Sequence, residues 1–170
     1  MAAQVAADDP TVTHVACLSG NGPSQLFDFV EQARAGKMGD SSKTPDARVN
    51  DILQGWAAVR AEPHSTAKFI WGHPYRRMAS FLSASTTDAL LRSKARIYLA
   101  HGSADDKVPI VAFDVLQAEL LARGRDVTAE RIDGADHGLN RAGQSMPQGM
   151  RAVMDHAMSW FLAEKPPGSP

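Results

Sequence analysis

Two residue types able to move protons stand at equivalent places along this 170-residue chain. Asp105 follows the apolar run "RIYLA" in "HGSADDKVP", and His137 follows "DVTAERI" in "GADHGLN". Both runs read as buried strands, and glycines on either side let each loop turn sharply. In an open parallel sheet, functional side chains collect on the loops past the carboxyl ends of the strands. Two residues far apart in sequence thereby meet at one sheet edge. A carboxylate beside an imidazole fixes its tautomer and stabilises the imidazolium formed when the ring takes a proton. Asp105 and His137 are therefore the candidate acid and base.

The elements that must position this pair follow from pattern. "MAAQVAADDP" reads as the end of an alanine-rich helix that stops before Pro10. "TVTHVACLS", Thr11 to Ser19, is a β-branched and apolar strand ending at Gly20. After the loop "GNGPS", Ser24 caps the helix "QLFDFVEQARAG", which Gly36 closes. Val49, Ile52, Leu53 and Trp56 mark a second amphipathic helix. The segment from about 36 to 93 shows helical patterns, an aromatic-rich turn in "FIWGHPYRRMASFL", and no expected strand. "ARIYLA" is then a strand, "PIVAFDVLQAELLARG" a helix, and "DVTAERI" a third strand. A last helix carries Met150, Val153, Met154, Ala157, Trp160 and Phe161 on one stripe, and 165–170 reads as a loose tail. The expectation is one α/β domain over 1–170, with a thin three-stranded parallel sheet flanked by helices. Its exposed edge would allow a homo-oligomer to form by sheet pairing.

Composition narrows the partners. A net charge of −1 gives no electrostatic reason to expect nucleic acid or an anionic membrane. No apolar run is long enough to span a bilayer, and the N-terminus lacks a basic region and apolar core of a signal peptide. The six histidines are not clustered at metal-ligand spacings, and Cys17 alone cannot build a zinc site or a disulfide framework. No metal or organic cofactor is expected, and a reducing, cytoplasmic setting suits the chain.

"HGSADDKVP", an amphipathic helix, and "VTAERIDGADHGL" together resemble the C-terminal part of the α/β-hydrolase superfamily, of the esterase and prolyl-oligopeptidase-like kind. "WGHPYRRMASFL" is similar to a segment such proteins carry before the acid-bearing strand. The resemblance implies Asp105 as triad acid and His137 as triad base, with Asp106 one place beyond the motif position. It implies a carboxylic-ester hydrolase acting on small or medium acyl esters by serine-type acyl transfer. It also implies that the segment about 36–93 forms a cap-like helical insertion; the alternative is that its aromatics simply cover the sheet.

The family's nucleophile lies in Gly-x-Ser-x-Gly, and that pentad does not occur here. On this alignment the nucleophile elbow would precede Met1, so the chain is expected to be the acid-and-base half of a hydrolase. Ser19 in "CLSGN" and Ser24 in "GPSQL" are the alternatives. The stronger readings make Ser19 a strand-end turn residue and Ser24 a helix cap. Cys17 reads as an inert core thiol. His14, His64, His73, His101 and His156 read as structural or surface residues, with His101 placed to line the same crevice as the pair. Two functions follow: an ester hydrolase binding a small-molecule ester, or a non-catalytic remnant that serves as a binding module.

Overall fold

The computed structural model describes residues 1–145 and 147–163; the tail expected at 165–170 lies outside them. In chain order the elements open with α1 (Ala2–Asp8), β1 (His14–Leu18), α2 (Gln25–Arg34) and α3 (Pro45–Ala61). Next come β2 (Phe69–Ile70), β3 (His73–Pro74), α4 (Tyr75–Leu82) and α5 (Thr86–Arg92). The last are β4 (Arg96–Gly102), α6 (Ile110–Ala122), β5 (Val127–Ile132) and α7 (Gln148–Leu162). They form two compact units: Met1–Asn21 with the chain from Thr86 onward, and Gly22–Ser85.

The first unit is mixed α/β, with a parallel sheet in the order β1-β4-β5 flanked by helices. The expected three-stranded parallel sheet flanked by helices is thus present. β4 is central and buried from Ile97 to Gly102, as a strand covered on both faces must be. Alternation then sorts its side chains. Ile97 and Leu99 join Ala3, Ala6, Leu90, Phe113, Leu116 and Leu120 on the face covered by α1, α5 and α6. Tyr98 and Ala100 join Ile132, Ala135, Leu139, Val153 and Ala157 on the α7 face. β1 starts later than its apolar run suggests. The Asp9 carboxylate accepts the backbone N–H (2.9 Å) and the hydroxyl (2.6 Å) of Thr11, a local turn that uses up the first residues.

In the second unit, Ser24 caps α2 by accepting the N–H of Phe27 at 3.1 Å, and Thr44 caps α3. Contrary to the expectation of no strand between 36 and 93, β2 and β3 pair as a two-residue antiparallel ladder. Stretches this short have no periodicity to read. The turn signal is also unusual: Trp71 (φ 50) and Gly72 (φ 78) both adopt positive φ, as a tight hairpin turn requires. Gly55, inside α3, makes room for this hairpin. A Cβ there would lie 2.6 Å from Ile70 Cδ1 and 3.0 Å from Trp71 Cζ2.

Candidate functional site

Parallel register fixes which loops meet. Leu18 pairs with Ala100, and Gly102 with Ile132, so the ends of β1, β4 and β5 lie at one edge of the sheet. The chain leaves β4 through Gly102, which the loop after β5 crosses closely. A Cβ at Gly102 would stand 2.2 Å from the carbonyl oxygen of Ala135. Two backbone hydrogen bonds join these loops, from Ser103 N–H to Ile132 O (3.0 Å) and from Ala104 N–H to Ala135 O (2.9 Å).

The loop bearing His137 is braced from within. Asp136 Oδ1 accepts the N–H of Gly138 at 2.9 Å and of Asn140 at 3.0 Å. Leu139 adopts φ 62 and buries its side chain. Asn140 Oδ1 accepts the N–H of Gly149 at 3.0 Å, which ties the loop to the first turn of α7. There a Cβ at Gly149 would lie 2.0 Å from Leu139 O.

On this scaffold Asp105 and His137 meet. His137 Nδ1 lies 2.8 Å from Asp105 Oδ2. A carboxylate can only accept, so Nδ1 carries the proton and Nε2 is left as the basic atom. The Asp105 side chain is fully buried while that of His137 is 47% exposed, so the imidazole is open to solvent and the carboxylate is not. Asp105 Oδ1 accepts the N–H groups of Lys107 (2.8 Å) and Val108 (2.9 Å), which holds the carboxylate in a fixed plane. Asp106 is instead exposed, with the Lys107 ammonium 3.1 Å from its Oδ2.

His101 is the member that sequence reading left out of the pair. It is fully buried, and its Nε2 lies 3.0 Å from Val108 O and 3.3 Å from Asp105 Oδ2. Burial holds its pKa below the ordinary histidine range, against the opposing pull of Val108 O and Asp105. The ring is therefore neutral. Both neighbours are acceptors, so Nε2 carries the proton, and Nδ1 is buried without a hydrogen-bond partner. The available signal was a histidine within an otherwise apolar strand, four residues before the acid.

The remaining candidates separate. Ser19 stands one residue past β1, with its N–H bonded to Ala100 O at 2.9 Å. It adopts φ 48, a conformation that costs a non-glycine residue, and its Oγ is buried without a partner. Ser24 is the α2 cap. Burial pushes the Cys17 thiol up to about 11, which keeps it inert at neutral pH. His14 meets Trp160 edge-to-face and Phe161 at a tilt, and His156 faces Glu130. Among the described residues no hydroxyl or thiol is hydrogen-bonded to His137, no group of three His, Cys, Asp or Glu could hold a metal, and no helix is long and apolar enough to cross a membrane.

No protein-family model matches the sequence, and no curated protein matches it. Among solved structures, the chain is similar to a truncated form of a carbohydrate esterase from gut microbiota, at 18% identity and a TM-score of 0.42. That match covers 85% of this chain and 41% of the other. It is also similar to esterase 2 of Thermogutta terrifontis phosphonylated by cyclosarin, at 19% identity and a TM-score of 0.37, over 50% of this chain and 36% of that one. The apo form of the same esterase matches at 18% identity and a TM-score of 0.39, over 59% and 40%. The chain thus spans about two fifths of the length of these structures or less.

Proposed function

We propose that Asp105 and His137 are the acid and base of a carboxylic-ester hydrolase acting on small or medium acyl esters. The observation that carries this is the 2.8 Å hydrogen bond between His137 Nδ1 and a buried Asp105 oxygen, with the opposite ring nitrogen left free. In such a reaction Nε2 takes the proton of a serine hydroxyl as its oxygen bonds to the ester carbonyl carbon. Collapse of the tetrahedral oxyanion breaks the bond to the alkoxide, which receives that proton. Water then attacks the acyl-serine, His137 taking its proton and returning it to the serine oxygen as the carboxylic acid leaves. Asp105 remains ionised throughout and stabilises the imidazolium.

Ser19 is the first candidate for the nucleophile. It lies at the same sheet edge, and a strained backbone is what an exposed strand-to-helix serine requires. A second reading is a non-catalytic binding module of the same fold. It is favoured by the burial of Ser19 Oγ and by the lack of a hydroxyl on His137 among the described residues.

Hydrolysis of p-nitrophenyl acetate and butyrate, with Ser19→Ala, Asp105→Asn and His137→Ala alongside and fluorophosphonate labelling of each, distinguishes the two. Turnover lost in all three variants supports the hydrolase. Absence of turnover and of labelling in the unaltered chain supports the binding module.

A further inference from the structure

We infer that the Gly22–Ser85 unit carries a binding site for a small carboxylic acid with an aromatic or branched apolar body, independent of the Asp105–His137 pair. This unit carries a solvent-open pocket of about 380 Å³, within the range of small-ligand sites. Its walls are aromatic. Phe29 meets Trp71 edge-to-face at 5.5 Å between ring centres and Phe81 at 6.1 Å. Met78, 2% exposed, closes the inner side, while Phe81 keeps 42% of its surface open. Such rings accept an apolar body by burial and by edge-to-face packing.

The polar end of the site is cationic. Arg77 precedes Met78 and stands one helical turn before Phe81 on α4, so its side chain and the Phe81 ring project from one face. It lines the cavity and is exposed. Arg77 Nη1 lies 3.4 Å from His73 Nδ1, a long contact that engages one of five N–H donors. The surface acids of this unit have other partners: the Asp40 carboxylate accepts from Ser42, and the rest face other cations. Glu31 and Asp46 face Arg34, Asp51 faces Lys43, and Glu62 faces Lys68. Among the described residues no carboxylate lies within ion-pairing distance of Arg77. A guanidinium beside an apolar pocket, with its fork of donors unspent, matches the bidentate geometry of a carboxylate.

The backbone shows that this wall is imposed on the chain. Trp71 sits at φ 50 at the tip of the hairpin, a backbone conformation that the tight turn requires and that costs a non-glycine residue. Its ring is held by Phe29 and by the gap that Gly55 leaves in α3. The strained residue is thus one that lines the cavity.

The test uses the full chain and three probes: 4-phenylbutyrate, 4-phenylbutan-1-ol and inorganic phosphate, each titrated by calorimetry and by tryptophan fluorescence. The acid is expected to saturate at millimolar concentration or below, binding at least about tenfold more tightly than the alcohol. Phosphate, which cannot use the rings, is expected to bind more weakly than the acid. Arg77→Gln is expected to reduce the acid's affinity to that of the alcohol. Arg76→Gln, an exposed neighbour outside the cavity, is expected to leave it unchanged. Equal binding of acid and alcohol, equal loss in both arginine variants, or no saturation by the acid would overturn the site. The comparison of acid with alcohol decides the matter on the unaltered chain, whatever the variants do to folding.

Discussion

His101 and His137 approach the same oxygen of Asp105, at 3.3 Å and 2.8 Å, one from the interior and one from the surface. With Lys107 and Val108 N–H on the other oxygen, the carboxylate accepts three hydrogen bonds, while the His101 N–H is given to Val108 O. The two backbone groups hold Asp105 in place, with the buried His101 ring packed beside it. In the proposed hydrolysis, His137 would lean on a partner whose position does not depend on it.

Asp105→Asn is expected to keep the fold but spoil the base. The amide oxygen can still accept from Lys107 and Val108, while its NH₂ group faces the two rings. His137 Nδ1 must then accept, so its proton moves to Nε2, the atom that should take the proton of the nucleophile. Ester turnover is expected to fall about a thousandfold or more. The tautomer change is read by nitrogen chemical shifts of the ring, and an unaltered His137 tautomer would contradict the assignment. Asp105→Ala, which strands the three donors of Lys107, Val108 and His137, is expected to cost about 3 kcal/mol in urea unfolding.

His101 gives a pH signature of defined sign. Its folded-state pKa lies below 6.5 because burial disfavours the cation. The unfolded chain therefore takes up a proton first as pH falls. Stability from this ring is complete above the unfolded value and is lost as pH drops below 6.5, until the folded ring also titrates. His101→Gln keeps a donor and cannot titrate. Urea unfolding at about pH 7.5 and about pH 5 should show a smaller loss in the variant than in the parent. His14 is shifted in the same direction, chiefly by desolvation, so some slope remains. Equal losses would show that His101 does not titrate as described.

Gly102, the last residue of β4, and Gly149, in the first turn of α7, are expected to resist substitution for a steric reason. A Cβ at Gly102 or Gly149 meets backbone, at 2.2 Å and 2.0 Å, which no side-chain rotation relieves. Gly102→Ala and Gly149→Ala should each lose about 3 kcal/mol of stability. Gly20→Ala, whose Cβ would meet only Cys17 Cβ at 3.9 Å, should change stability by less than about 0.5 kcal/mol. Chemical denaturation of the three variants checks the order, and tolerance at either crossing would refute the close packing.

What could be read from the sequence followed from how each feature is encoded. Asp105 and His137 were legible because strand, glycine and polar residue recur in order, and the parallel sheet brings successive strand ends together. Ser24 was legible as a cap because capping is local. His101 is legible only as a residue lining the same crevice; that its ring is fully buried beside Asp105 follows from packing the sequence does not print. The hairpin at 69–74 was missed because two residues per strand carry no period, and tertiary packing holds Trp71 in a conformation its type disfavours. The left-handed backbone of Ser19 is set by its place between β1 and the following turn and leaves no mark in composition.

Ser19 carries the last prediction, in which stability and activity should move in opposite directions. Its positive φ and unpartnered buried hydroxyl both cost folding free energy. Ser19→Ala removes the hydroxyl alone, whereas Ser19→Gly also relieves the backbone, partly offset by the greater freedom of glycine in the unfolded chain. Ser19→Gly is expected to raise stability by about 1 kcal/mol in chemical denaturation. If the strain serves catalysis, the same change removes fluorophosphonate labelling and ester turnover, since strain kept at a functional residue is exchanged for stability when that residue is lost. A stabilised variant that still turns over ester would make Ser19 a turn residue and remove it from the reaction. A destabilised one would mean that its hydroxyl and backbone are better accommodated than their geometry indicates.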